Sequence, residues 1–142
     1  MADIEHAIQI AAMPETIYPL VATANGFGQW WATDISEPPG GVELAFFNRA
    51  TVYRLKLEID KPGTQAGWLC ESGREWGGTR IAFRLEARGS ATFLRFSHSG
   101  WQAATDYFVS CNTTRGEAIF HLKSAAEGKP RGPLFLAGDL AY

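Results

Sequence analysis

This chain lacks most of the features that give a function away. Lys and Arg number 13 against 15 Asp and Glu, a formal net charge of −2, and no basic cluster interrupts the even spread. Nucleic-acid binding needs a concentrated basic surface, so this composition argues against it. The uninterrupted apolar runs are only a few residues long, too short to span a bilayer. The N-terminus, MADIEHAIQI, has acids where a secretory signal has bases followed by an apolar block, and the expected location is the cytoplasm. Only two cysteines are present, Cys70 and Cys111, in different elements and without metal spacing, so they read as small buried thiols. His6, His98 and His121 lack the local spacing of a zinc site. Gly26-Phe27-Gly28 is a bare GxG outside any strand-to-helix phosphate context, and reads as a turn. No Ser or Cys nucleophile stands with a base and an acid as a triad would require. No metal and no cofactor is expected. Repeats, low-complexity tracts and linkers are also missing, so residues 1–142 make one domain, with the tail from about 129 extended.

What is present is a clear alternation of periods. Ile4, His6, Ile8 and Ile10 alternate with polar or small residues, the pattern of a strand with one buried face. Pro14 opens a helical turn carrying Ile17, Leu20 and Val21 on one side. Asn25-Gly26 is expected to break it, before a second short helical piece from Phe27 to Trp31. Glu37 to Gly41, with two prolines and two glycines, is a loop. Five strands follow: Val42 to Phe47, Thr51 to Asp60, Gln65 to Glu71, Arg80 to Ala87 and Ala91 to Ser99. In the second of them Tyr53, Leu55, Leu57 and Ile59 face one way. In the last, Leu94, Phe96 and His98 share a face.

The final third carries the one long helical period. Phe108, Cys111, Arg115, Ile119, Leu122 and Ala126 recur at three- and four-residue steps on one face. Thr105 or Asp106 caps its start, Lys123 lies near its end, and Gly128 followed by Pro130 stops it. Strands with one dry face need a cover, and this helix supplies it. The expected architecture is α+β: a curved antiparallel sheet of about six strands, two short helices after the first strand, and a long C-terminal helix across the concave face.

Three stretches carry a family resemblance: IQIAAMPETIYPLVATANGFGQWW, EWGGTRIAFRLEARGSATFLRFSHSGW and YFVSCN…LKSAAEGKPRGP. In this order they resemble the helix-grip fold of the START/SRPBCC superfamily, which includes the birch-pollen-allergen-like proteins. Within it, they are most similar to small bacterial proteins related to the activator of the heat-shock protein 90 ATPase. The resemblance implies an internal cavity between sheet and helix, used across the superfamily for lipids, hormones, polyketides and other apolar molecules. It implies no single reaction, because the fold hosts binders, cyclases, dehydratases and co-chaperone-like modules. One departure stands out: the family's last helix usually carries an aromatic, often Trp, where this chain reads Thr114-Arg115-Gly116.

Arg115 is therefore the sharpest single residue. On the inward stripe it is a buried cation, costly unless paired. It reads either as an anchor for a carboxylate or phenolate on an apolar ligand, or as a structural ion pair with an acid such as Glu71, or as an arginine that snorkels out beside Gly116. Tyr53, Phe83, Phe96, His98, Cys111 and Arg115 are the expected cavity lining, because they sit mid-element where the helix crosses the sheet. His6 and His98 on inner faces are read as hydrogen-bonded core residues before they are read as catalytic bases. Three functions follow in order. The first is binding of a small, mostly apolar ligand that can carry an anionic group. The second is a protein-interaction module, with a chaperone partner or a homodimer and with Leu134-Phe135-Leu136 as the docking patch. The third is a cyclase- or dehydratase-type enzyme using His98 or Tyr53.

Overall fold

The structure, a computed structural model, describes residues 1–141. Its elements run β1 (Ala2–Ile10), α1 (Pro14–Ala22), α2 (Ala24–Phe27), β2 (Ile35–Ser36), β3 (Val42–Phe46), β4 (Thr51–Lys61), β5 (Gln65–Ser72), β6 (Arg80–Arg88), β7 (Ala91–Trp101) and α3 (Asp106–Ala126). All strand pairs are antiparallel, and the sheet order is β1-β7-β6-β5-β4-β3-β2. The sheet curves around α3, which lays Phe108, Cys111, Arg115, Ala118, Ile119, Leu122 and Ala126 into the core. Thr105 caps this helix, its hydroxyl accepting from the Phe108 N–H at 3.2 Å. Lys123, in the last turn, donates to the Gln9 carbonyl at 2.8 Å and so ties the helix to the end of β1.

Seven strands are present where about six were expected. The extra one, β2, is two residues long and has no period of its own to read. The inner face of β4 ends early as well: a register shift lies between Leu57 and Ile59, and past it Ile59 turns out to solvent. A bulge of this kind moves the following side chains to the other face, which simple alternation cannot foresee.

The α1–α2 corner also departs from expectation. Asn25-Gly26 lies inside α2, and the break comes at Thr23, whose hydroxyl donates to the Pro19 carbonyl at 2.8 Å and accepts from the Gly26 N–H at 2.9 Å. The last carbonyls of α1 have no partner within their helix. Two indoles serve them instead: Trp30 Nε1 donates to the Leu20 carbonyl at 2.8 Å, and Trp68 Nε1 to the Val21 carbonyl at 2.9 Å. Trp30 and Trp31 stack at 5.3 Å, and Phe27 meets Trp31 edge-on at 5.2 Å, so the corner fixes where the Trp31 ring stands.

Gly26 is required here by proximity. A Cβ at this position would lie 2.0 Å from the Pro19 carbonyl oxygen and 2.6 Å from the Leu20 Cα, both backbone atoms that cannot yield. Gly26→Ala is expected to cost about 3 kcal/mol or more, lowering the melting temperature by about 10 °C. An unchanged melting curve would mean that the corner is not held as tightly as its contacts imply.

Candidate functional site

Arg115 sits midway along α3, 3% exposed, with its guanidinium carbon 4.8 Å from the Trp31 ring centre, 5.0 Å from Trp76 and 5.2 Å from Phe96. Each element contributes one wall: the α2 exit brings Trp31, the β5–β6 loop brings Trp76, and β7 brings Phe96 and His98. Three aromatic faces around one cation give a real but partial replacement for water. The single hydrogen bond of this guanidinium among the described residues runs from Nη1 to His98 Nδ1, at 3.2 Å.

That contact fixes the protonation of the neighbours. Arginine only donates, so His98 Nδ1 must be the acceptor and the ring proton lies on Nε2. The Nε2–H then points to Thr79 Oγ1 at 2.7 Å, and the Thr79 hydroxyl donates to the Trp76 carbonyl at 2.5 Å. The chain Arg115–His98–Thr79–Trp76 therefore runs in one consistent direction. Burial, and next the Arg115 charge, hold His98 well below its ordinary pKa, so the imidazole stays neutral. With one nitrogen accepting and the other donating, His98 has no free lone pair with which to act as a base.

No acid balances Arg115 among the described residues. Glu71, the partner considered from sequence, is 3.4 Å from Arg54 instead. The neighbouring acidic hydrogens are held on: burial pushes the Cys70 thiol up to about 11 and raises both the Cys111 thiol and the Tyr53 phenol. Nor does Arg115 snorkel, as its low exposure demonstrates. The cation is buried, unpaired by charge, and held by rings and one neutral imidazole.

Beside the guanidinium lies a cavity of about 40 Å³. Arg115, Tyr53 and Cys111 line it, together with Trp31, Trp76, Phe46 and Phe135. Phe96 and His98 touch Arg115 without lining the cavity, and Phe83 does not line it either, packing against Phe27, Trp30 and Phe96. The volume holds a few waters, each of which needs at least about 10–15 Å³. It is far short of the roughly 300–1,000 Å³ that encloses a whole drug-sized ligand. Two further buried atoms on lining residues, the Tyr53 hydroxyl and Trp76 Nε1, make no hydrogen bond of good geometry, the Thr51 hydroxyl and the Cys111 thiol being their polar neighbours. The polar inventory around the cavity is thus a guanidinium, an indole N–H, the Tyr53 phenol, the Ser110 and Thr114 hydroxyls and the Cys111 thiol. What such a set lacks is an anion.

Two contributors escaped the sequence. Thr79 is one threonine before a strand, and only the folded structure brings it to His98. Phe135 belongs to the segment expected as a docking patch, yet it is 7% exposed and packs on Phe46 with ring centres 4.8 Å apart. Its N–H donates to the Trp31 carbonyl at 2.9 Å, and its carbonyl accepts from the Thr33 N–H at 3.0 Å. The tail is part of the cavity wall. Among the described residues no group of three or more His, Cys, Asp and Glu is placed to hold a metal ion. Likewise, no helix is long and apolar enough to cross a membrane.

Comparison with solved structures places this geometry in a family. The Aha1 dimer from Colwellia psychrerythraea is 33% identical to the chain, with a TM-score of 0.80 over 91% of this chain and 98% of that one. The chain belongs to the Aha1-like proteins. A START superfamily protein from Mycobacterium smegmatis shares the fold at 18% identity and a TM-score of 0.64, over 89% of this chain and 95% of that one. So does a Staphylococcus saprophyticus protein, at 15% identity and a TM-score of 0.70, over 96% and 99%. No protein-family model and no curated protein matches the chain.

The buried imidazole of this Aha1-like protein makes stability depend on pH with a definite sign. Below the ordinary histidine pKa of 6.5, the unfolded chain takes up a proton on His98 that the folded chain refuses. Stability is therefore full above that value and falls as the pH drops, by up to about 1.4 kcal/mol per pH unit for this residue. His6, also held low by burial, adds to the slope. Denaturant melts from pH 7 to pH 5 should show the loss, and His98→Gln should remove the larger part of it. A flat profile would mean that the folded ring protonates freely.

Proposed function

We propose that the protein binds a small, mostly apolar ligand through an anionic group, with Arg115 as the anchor in the space between sheet and helix. The observation that carries this reading is the buried guanidinium with no carboxylate beside it among the described residues. A charge removed from water and left unpaired costs several kcal/mol, which a structural role would not require. A carboxylate or phenolate would complete the site, accepting from the planar fork and from the Tyr53 and Trp76 donors. The Aha1-like fold, and the superfamily's general use of this space for apolar molecules, support the same reading.

Removing the anchor separates function from structure. Arg115→Met places an apolar side chain of similar length in an aromatic nest. Without ligand it should leave stability unchanged or raise it, as replacements of buried charges do, by up to about 4 kcal/mol. The same variant should lose the quenching of tryptophan fluorescence that fatty acids and phenolic or polyketide-like acids produce in the wild type. Neutral analogues should behave alike in both proteins. A destabilisation of about 3–5 kcal/mol with ligand binding intact would make Arg115 a structural member of the His98–Thr79 chain instead.

A second property is proposed for the outer side of α3. Val109 and Phe120 are 55% and 53% exposed there, and with Thr113 they fall on one stripe at steps of four and seven residues. The Colwellia relative is described as a dimer. We propose that this stripe forms a homodimer contact. Light scattering after gel filtration should give twice the chain mass, and Phe120→Glu should give the monomer. A monomeric wild type at high micromolar concentration would rule the contact out.

A further inference from the structure

We infer that the ligand enters head-first: a monocarboxylate whose charged group alone fills the small cavity at Arg115, while its apolar body lies in a larger groove outside. This rests on the proposed anion-binding reading and adds the ligand class and its orientation.

Volume gives the first reason. The inner cavity, about 40 Å³, has room for the oxygens of one carboxylate and for little else. Next to it lies a groove of about 520 Å³, within the range of small-molecule sites. Phe47, Tyr107 and Ser110 line both spaces, so the two are neighbours that share those three residues as a wall.

Both spaces are mainly apolar, and what sets the inner end apart is the buried cation. The inner end also holds the phenol and indole donors. The outer groove is walled by Phe47, Val52, Tyr107 and Leu140, with Arg74 at its side, the guanidinium carbon 4.1 Å from the Tyr107 ring centre. One buried cation matches one buried negative charge, while Arg74, on the groove, stays exposed to solvent. A neutral lipid leaves Arg115 as it is. A polyketide or acyl chain enclosed whole has no room in the inner cavity.

The rim is built to hold its shape. Phe47, Asn48 and Arg49 are three consecutive non-glycine residues at positive φ, of 54°, 54° and 66°. A run of this kind is costly and persists only where the surroundings over-determine it. Arg49 supplies the restraint, its Nη1 2.8 Å from Asp34 and its Nη2 2.9 Å from Glu43. The turn thereby sets Phe47 at the boundary between the two spaces.

A chain-length series tests the inference. Butanoate, hexanoate and octanoate, with methyl octanoate as the neutral control, are titrated by tryptophan fluorescence and calorimetry. For the wild type, affinity should rise about fourfold per methylene, the factor that ~0.8 kcal/mol of burial corresponds to, until the groove is filled. Arg115→Met should lose all three acids. Leu140→Ser, at the groove's outer end and outside the inner cavity, should flatten the dependence on length. Acids that bind with no dependence on length would keep the anchor and overturn the head-first arrangement. Methyl octanoate binding as tightly as octanoate would overturn the anion reading itself, as would no binding by any acid.

Discussion

The arrangement of this protein's interior depends on one interaction, the burial of the Arg115 guanidinium among rings instead of beside a carboxylate. A cation in that position imposes conditions on every neighbour. The imidazole of His98 must present a lone pair, which leaves its proton on Nε2, which in turn requires an acceptor at Thr79. Thr79 then donates its own hydroxyl hydrogen bond to the Trp76 carbonyl. Because Trp76 also offers its ring face to the same guanidinium, the chain closes on the residue where it began. A polar network of this kind is costly to satisfy in part: an arginine replaced by an apolar residue leaves His98 Nδ1 without its donor, a loss of about 1–3 kcal/mol set against the several kcal/mol that the unpaired buried charge costs.

The rings around the cation are held by backbone needs that have nothing to do with it. Trp30 and Trp68 are placed by the unsatisfied carbonyls at the end of α1, and Trp31 follows from Trp30 by chain connectivity and stacking. Trp76 stacks on Tyr53 with ring centres 3.7 Å apart, and Tyr53 sits against Gly73, where a Cβ would lie 2.2 Å from the ring. The glycine admits the tyrosine, the tyrosine sets the tryptophan, and the tryptophan covers the arginine. Preorganisation at the cation is thus inherited from helix termination and close packing, which are fixed as the chain folds. A site positioned in this way does not depend on the ligand to assemble it.

Much of this was legible in the sequence, and the limits have physical causes. The inward facing of Arg115 followed from helical period alone, because 21 residues of α3 give several turns over which a misplaced face would be obvious. The antiparallel strands followed from alternation for the same reason. Asn25-Gly26 was misread because glycine serves two purposes, backbone freedom and close approach, and only the packed structure tells them apart. The bulge that exposes Ile59 leaves no mark on composition. Thr79 and Phe135 reach the site through contacts across 19 residues to His98 and about 100 to Trp31, distances over which no local pattern exists. Cavity size is the least legible property of all, being a small difference between the volume enclosed and the volume of the rings that fill it.

That difference bears on what a member of this family can do with the space under its long helix. The resemblance leads one to expect an aromatic near the position Arg115 occupies, and an aromatic there would be one more ring in an apolar core. Arginine at the same place adds charge without adding polar partners, and the surrounding rings still take up most of the room. A cavity that is both small and cationic is poorly suited to storing an apolar molecule whole, whatever the fold does elsewhere. It is suited to gripping one end of a molecule, because the energy of a buried charge pair is concentrated in a few atoms whereas hydrophobic binding needs area. The same fold can therefore turn from enclosure to terminal recognition through one substitution on its last helix, provided that the neighbouring histidine, threonine and rings can hold the charge until an acceptor arrives.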